Sequence, residues 1–263
     1  MNFHLARMLL VASLCAACGQ QSAPGPASSS ASSSQAPRVD PARAGRVTGT
    51  VRLTGTPPAN PPIDMGADPS CRQWAGSNPV DARVIAGADG ALQNVFVHIK
   101  HGLDAYSYDV PAAPVVLDQR GCGYHPRVFG IRAGQPLEII NSDATLHNIH
   151  ANAAINREFN LGQGERGMRS RRTFDKPEVM LPISCDVHHW MHAYAGVLDH
   201  PYFAVSSADG RFALDGVPPG IYVLEAWHEV FGVATTSVTL GDRESREVAF
   251  TFDVGRPSQS QEP

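Results

Sequence analysis

The stretch 184-SCDVHHWMHAYAG-196 contains one cysteine, three histidines and one methionine within eight consecutive positions. A thiol, imidazoles and a thioether this close together allow three interpretations. They are core residues with polar neighbours, a catalytic thiol beside a base, or the ligands of a metal ion. The rest of the chain has to decide among these readings.

Outside this stretch, the chain consists of short apolar runs separated by turn residues. The runs are rich in Val, Ile, Phe and Tyr, and they cover residues 46–54, 94–100, 128–132, 137–141, 178–184, 221–228, 233–240 and 245–252. In the last run, Val248, Phe250 and Phe252 alternate with other residues and lie on one face of a strand. We see no long helical period, so the sequence predicts an all-β protein built from sandwiches.

The first residues indicate export. Arg7 precedes the apolar run 8–14, which is too short to span a bilayer, and 15-CAAC-18 follows. Ala-Ala before Cys18 resembles a bacterial lipoprotein signal, although Cys15 stands where such signals usually carry Leu. This resemblance implies a signal peptide over 1–17, a lipid on Cys18 and a location on a bacterial membrane facing the periplasm. An ordinary secretory signal is the alternative.

Both ends of the mature chain are expected to lack a fold. Residues 18–44 are rich in Ser, Ala and Pro and predict a flexible tether, and residues 253–263 predict a disordered tail. The formal net charge of −4 argues against nucleic acid as a partner. No second apolar stretch is long enough to cross a membrane, so the lipid is the only expected attachment to the membrane.

The cysteine count is odd after export. Cys71, Cys122 and Cys185 remain in an oxidising compartment, which indicates one disulfide and one thiol with another role. Cys71 and Cys122 lie in loop-like sequence without neighbouring ligand patterns, so we pair them. Cys185 then stays free among the histidines, where a bound metal would protect it from oxidation.

The C-terminal part resembles the carboxypeptidase regulatory-like family, a transthyretin-like β-sandwich. The resemblance is carried by 209-DGRFALDGVPPGIYVLEAW-227, and 46-RVTGTVRLTGTPP-58 is similar to the opening strand of that family. It implies a sandwich built from residues 45–60 and 203–252, with the segment 94–100 as a further candidate. The intervening residues 61–202 would form a separate metal-binding domain, inserted in or packed on this sandwich.

Four residues have the donor types that redox copper prefers. Cys185-x-x-His188-x-x-Met191 can wrap one side of an ion, with a thiolate, an imidazole and a weak thioether. A short loop cannot surround the metal alone. The best further ligand is His147 in 136-PLEIINSDATLHNIHANA-153, where it follows a polar turn after a strand.

An upstream His-Asn followed by Cys-x-x-His-x-x-Met resembles the cupredoxins, with the spacing of the plastocyanin and amicyanin group. The resemblance covers about residues 117–200 and implies a Greek-key β-sandwich with one type 1 copper. His147, Cys185 and His188 would be its equatorial ligands and Met191 its axial ligand. Asn148 would tie the two ligand-bearing loops together. Val187 and His189 occupy positions where that group usually has Pro.

Two alternatives for the cluster stay open. A zinc site would use Cys185 with several histidines and would leave Met191 without a role. A Cys–His nucleophile would need an orienting group and an oxyanion hole. Participation of His189, His125 or His150 in metal binding also stays open, while His192 and His200 are interpreted as surface or supporting residues, and His98 and His101 have no pattern.

The expected function is that of a one-electron carrier at the cell envelope, not an enzyme, with a redox protein as partner. The alternative is a non-redox binding module with a carbohydrate-binding-like fold, or a copper carrier whose metal is structural or in transit. The stretch 166-RGMRSRR-172 is interpreted as a solvated loop, or alternatively as a docking patch for an acidic redox partner.

Overall fold

The computed structural model describes residues 36–66, 68–74 and 78–255. The expected signal peptide, the lipidation site Cys18, most of the tether and most of the tail lie outside these residues. The described part is all-β, which confirms the predicted fold class. It contains sixteen strands and one helix of four residues.

The elements follow one another in this order: β1 (Gly45–Thr54), α1 (Pro69–Arg72), β2 (Phe96–His101), β3 (Val115–Gln119), β4 (Tyr124–His125), β5 (Val128–Arg132), β6 (Pro136–Asn141), β7 (His147–Ala151), β8 (Phe159–Gln163), β9 (Arg169–Thr173), β10 (Glu178–Ser184), β11 (His192–Leu198), β12 (Phe203–Val205), β13 (Arg211–Val217), β14 (Gly220–His228), β15 (Gly232–Leu240) and β16 (Ser245–Asp253).

Strands from both ends of the chain form one pair of sheets, which we call the host sandwich. Its sheets have the strand orders β13-β1-β16 and β12-β2-β14-β15. Strand β1 is central in the first sheet, antiparallel to β13 and parallel to β16. The two sheets enclose one apolar core that includes Val47, Leu92, Ile99, Tyr222 and Phe250.

The intervening strands β3 to β11 form a second pair of sheets, which we call the metal unit. Their strand orders are β5-β11-β10-β7-β8 and β4-β3-β6-β9. Alternating apolar residues fill a second core that includes Leu117, Ile139, Ile149, Leu181 and Ala195. This core directly supports the strands that carry the candidate ligands.

Strand β2 lies in the host sandwich although it falls within residues 61–202 in sequence. It pairs with β14, and His98 faces Phe203 in its pairing with β12. Four consecutive residues of β2 are buried, because the strand is central in its sheet and both of its faces are covered. The chain therefore leaves the host sandwich after β2 and returns to it at β12.

The two sandwiches meet where aromatic rings lie on glycines. Phe96 of β2 lies against Gly196 of β11, and a Cβ at Gly196 would lie 2.2 Å from the ring. Phe203 of β12 lies equally close to Gly130 of β5. Glycine is needed at both positions because the backbone and the rings approach too closely for any side chain.

Residues 169–172 of the arginine-rich stretch 166–172 lie in a strand instead of the expected loop, whereas residues 166 and 167 form a turn. Strand β9 pairs with β6 and is the edge of its sheet. Four of its five residues are exposed, so the apolar alternation of a half-buried strand is absent. Arg169 and Arg171 form ion pairs with Glu138 on the neighbouring strand.

The described residues contain no helix that is long and apolar enough to cross a membrane.

Candidate metal centre

The ligand candidates lie on adjacent strands of the five-stranded sheet. His147 is the first residue of β7, and Cys185 directly follows the last residue of β10. These strands are antiparallel neighbours, with Ser184 opposite His150. His188 and Met191 follow in the short loop that leads into β11. Local pairing therefore brings the His147 strand beside the cysteine loop.

The nitrogen and sulfur atoms of three buried residues converge. One ligand atom from each of His147, Cys185 and His188 lies within 4.8 Å of the others. The Nδ1 atoms of the two rings are 2.9 Å apart, and Cys185 Sγ lies 4.0 Å from Nδ1 of His188. Two nitrogens and one sulfur at this spacing are suited to a single metal ion.

Each histidine directs its other ring nitrogen at a carboxylate. Nε2 of His147 lies 3.0 Å from Oδ2 of Asp143, which is itself buried. Nε2 of His188 lies 3.0 Å from Oδ2 of Asp68. A carboxylate at Nε2 favours a proton there and leaves Nδ1 as the metal-binding atom.

The contact between the two Nδ1 atoms tests whether the residues fit a metal. With Nε2–H of both rings donating to carboxylates, the Nδ1 lone pairs of His147 and His188 face each other at 2.9 Å. Two lone pairs at this separation repel unless a positive charge lies between them, either a proton or a metal ion. The donor set therefore fits a soft or borderline cation.

The sulfur of Cys185 is prepared for ionisation. Burial opposes the thiolate, but the contacts of Sγ with His147, with His188 and with the backbone outweigh burial and lower the pKa of Cys185 to about 5. The backbone N–H of His188 also donates to Sγ at 3.4 Å. The thiolate is the form that binds metals, so this ligand needs no further activation at neutral pH.

Asn148 connects the two ligand-bearing segments. Its Oδ1 accepts the backbone N–H of Asp186 at 2.7 Å and lies 3.2 Å from Cys185 Sγ. Its Nδ2 donates to Oδ2 of Asp186 and to Oδ1 of Asn160. The asparagine next to His147 thereby holds the position of the neighbouring cysteine.

Met191 and His189 have opposite environments. Met191 is 1% exposed and packs in the same apolar cluster as Cys185. Its backbone N–H donates to the carbonyl of His188 at 2.9 Å and its carbonyl accepts from Cys185 N–H, which closes the loop. His189 is exposed and lies outside the cluster of converging atoms.

The remaining histidines of the metal unit do not join the three converging residues. His150 lies on the other side of β7 and binds Asp186 and Glu158 at 3.1 and 3.0 Å. His125 is exposed, with Nε2 3.1 Å from the carbonyl of Arg120, and His192 is half-buried. His98 and His200, both buried, and His101 belong to the host sandwich or its margin.

Cys71 and Cys122 form a disulfide, the pairing expected from the sequence, and Cys185 is a free buried cysteine. Cys71 lies in α1, and its Sγ is 3.5 Å from Nε2 of His188. The disulfide is therefore part of the surroundings of the candidate centre.

Sequence reasoning missed Asp68 and Asp143. Asp143 precedes His147 by four residues, in the polar turn where a short-range signal was available. Asp68 is 120 residues away from its partner His188, and Asp-Pro before a short helix only indicates an N-cap.

No protein-family model and no curated protein match the chain. Among solved structures, it is similar to a Cu-containing nitrite reductase from Thermus scotoductus SA-01. That similarity has 23% identity and a TM-score of 0.32, over 36% of this chain and 24% of the reductase. The chain thus spans about a quarter of the reductase's length.

The chain is also similar to solved amicyanins. A Cu(I) form of a methionine-to-alanine variant has 22% identity and a TM-score of 0.29, over 34% of this chain and 86% of the amicyanin. An oxidised proline-to-glycine variant has 18% identity and a TM-score of 0.30, over 38% of this chain and 97% of the amicyanin. These TM-scores are low, so the chemistry of the centre rests on the chain's own side chains.

Proposed function

We propose that this protein is a copper-binding electron carrier of the cupredoxin type and not an enzyme. One observation carries the proposal. The buried thiol of Cys185 and the Nδ1 atoms of His147 and His188 converge, and both Nε2 atoms are already committed to carboxylates. A thiolate and two imidazoles, with a buried methionine nearby, are the donor set of blue-copper sites.

Copper bound to these residues would supply a one-electron couple between Cu(I) and Cu(II). The chain's part is to hold its ligands still. Asp143 and Asp68 orient the two rings, and Asn148 holds the cysteine loop. Ligands that are fixed before binding need little rearrangement when the charge of the centre changes, which favours fast electron transfer.

Apolar packing would keep water away from the centre. His147 has no exposed surface, and Cys185 and His188 are each 2% exposed. The surrounding cluster includes Ile149 and Ile183, on the two strands that carry His147 and Cys185. A site without access for water supports an electron carrier over an enzyme, because an enzyme would need an opening through which substrate reaches the metal.

Addition of Cu(II) to the purified protein tests the proposal. We expect one equivalent to bind and to produce an intense thiolate-to-copper band in the visible spectrum, which disappears reversibly on reduction. A parallel titration with Zn(II) is the control. A colourless copper complex, with zinc bound equally well, would contradict the carrier and favour a structural or transit metal.

The envelope location in this proposal depends on residues 1–18, which lie outside the described residues. We expect the wild-type protein to take up a fatty-acid label and to sediment with membranes. Cys18→Ser should abolish the label and either release the protein or leave it unprocessed. Wild-type protein that fractionates without membranes and without label would leave export but exclude the lipid anchor.

A further inference from the structure

The two ligand histidines are held by matching arrangements. The carboxylate of Asp143 accepts Nε2–H of His147 and also the backbone N–H of Cys122, at 3.0 and 2.8 Å. The carboxylate of Asp68 accepts Nε2–H of His188 at 3.0 Å and lies 3.4 Å from the backbone nitrogen of Cys71. Each carboxylate thus joins one ligand ring to one half of the disulfide.

Both carboxylates also accept hydrogen bonds from groups other than the histidine rings and the cysteine backbone. Asp143 also accepts the backbone N–H of Gly121 at 2.8 Å. Asp68 caps α1 by accepting the backbone N–H of Ser70, and it accepts the hydroxyl of Thr145 at 2.9 Å. Carboxylates held by several donors stay in place, so they can fix the rings that they contact.

The disulfide closes this arrangement into a frame. It joins α1, which comes from the segment between the host strands β1 and β2, to the turn before β4. Without the Cys71–Cys122 bond, Asp68 would sit on a segment attached to the metal unit only by weaker contacts. His188 would then lose a fixed partner.

We propose that Asp68 and Asp143 are positioning residues for the two histidine ligands, and that the Cys71–Cys122 disulfide holds both carboxylates in register. The inference rests on the proposed copper centre and deepens it. An imidazole that donates Nε2–H to a carboxylate is a stronger electron donor through Nδ1. The frame therefore tightens binding of Cu(II) and lowers the reduction potential of the centre.

Nuclear magnetic resonance of the metal-free protein tests the pairing without copper. We expect a slowly exchanging Nε2–H proton on each of the rings of His147 and His188. Asp143→Asn should remove the protection at His147, and Asp68→Asn that at His188. If either wild-type ring carries no proton on Nε2, the frame is wrong. If both protons are present but the protein binds no copper, only the proposed function is overturned.

Copper binding tests the effect on the metal. Asp68→Asn and Asp143→Asn should each weaken Cu(II) binding about 10- to 100-fold and raise the reduction potential. The matched control is Glu158→Gln, which breaks a similar histidine–carboxylate pair on His150 at the surface. This control should keep the affinity and potential of the wild type. Wild-type values in both aspartate variants would overturn the proposal.

The disulfide has a separate test. Cys71→Ala combined with Cys122→Ala keeps all proposed copper ligands. We expect this double variant, compared with the wild type in the folded state, to bind Cu(II) more weakly and to lose protection at Nε2 of His188. A folded double variant with wild-type affinity and both protected protons would show that the disulfide plays no part in the frame.

Discussion

His188 and His189 are adjacent in sequence but differ completely in environment. His188 is 2% exposed and contacts His147, Cys185 and Asp68, whereas His189 faces solvent. Cys185, His188 and Met191 follow one another at intervals of three residues in the loop, and all three are buried. Burial therefore separates the candidate ligand His188 from its exposed neighbour His189.

Replacement of the thiol is the sharpest test at this scale. Cys185→Ser should abolish the intense visible band, since no thiolate remains, while weaker copper binding through His147 and His188 persists. The measurements are the absorption spectrum and the copper content after dialysis. His189→Ala is the matched control and should keep the band. Loss of colour in His189→Ala together with retention in His188→Ala would contradict the ligand assignment.

Met191 should tune the centre more than hold it. An axial thioether is a weak ligand, so Met191→Gln should retain copper and shift both the colour and the reduction potential. Voltammetry and absorption spectroscopy measure these two quantities. Complete loss of copper from a folded Met191→Gln protein would mean that the thioether is a primary ligand. Unchanged colour and potential would remove Met191 from the centre.

The candidate ligands could be read from the sequence because three of them share one loop. Cys185, His188 and Met191 follow one another at intervals of three residues, which is a pattern visible in the sequence alone. The partner Asp68 could not be found in this way. Its contact with His188 is made across 120 residues of sequence, and such a distant contact leaves no local pattern.

At the scale of elements, the junction of the sandwiches depends on glycines in two strands. Phe96 and Phe203 project from the host sheet toward β11 and β5, where Gly196 and Gly130 leave room for the rings. A small apolar cluster that includes Phe96, Val128, Met180 and Leu198 surrounds this contact. The absence of a side chain is thus what allows the sheets to meet.

A single methyl group should disturb this junction. In Gly196→Ala, the Cβ would lie 2.2 Å from the Phe96 ring, so one of the strands must shift. We expect the free energy of unfolding to fall by about 1–3 kcal/mol, as in other overpacked cores. Denaturant unfolding measures this. Gly164→Ala is the control, because nothing lies within 4 Å of its Cβ. Equal stability of the two variants would refute the packing argument.

The predicted runs cover several buried strands, but they leave out others with buried residues, among them β3, β11 and β13. The run 178–184 matches β10 in full, and 128–132 matches β5. Strand β9 was missed because an edge strand with exposed arginines has no apolar alternation. The place of β2 in the host sandwich was only a candidate, because pairing partners more than 100 residues apart leave no trace in local sequence.

At the scale of the whole molecule, two buried histidines of the host sandwich and its margin resist protonation in the folded state. Burial lowers the pKa of His228 to about 4, and the charge of Arg127 acts in the same direction. Burial also lowers the pKa of His200 to about 4. An unfolded histidine has a pKa near 6.5. The contribution of each neutral, buried histidine to the free energy of unfolding is therefore fully present above pH 6.5 and is lost as the pH falls from 6.5 toward 4.

Unfolding measurements at two pH values test this. Between pH 7.5 and pH 5, each of these histidines should cost about 2 kcal/mol of unfolding free energy. His228→Phe should remove one such contribution, since Phe suits the aromatic contacts of His228 with Phe231 and Phe252. The comparison is the pH-dependent loss in the variant against that in the wild type. An identical loss in both proteins would show that His228 is not responsible.

The central position of β1 has a consequence for the timing of folding. Strand β1 is the first described strand of the chain, whereas its partners β13 and β16 both follow the whole metal unit in sequence. The strands of the metal unit pair within a shorter stretch of chain and are complete earlier. Non-local pairing of this kind is slow and leaves unpaired edges exposed until it finishes. A chain that ended before β16 would therefore carry a paired metal unit on an open host sandwich, and β1 would lack its parallel partner.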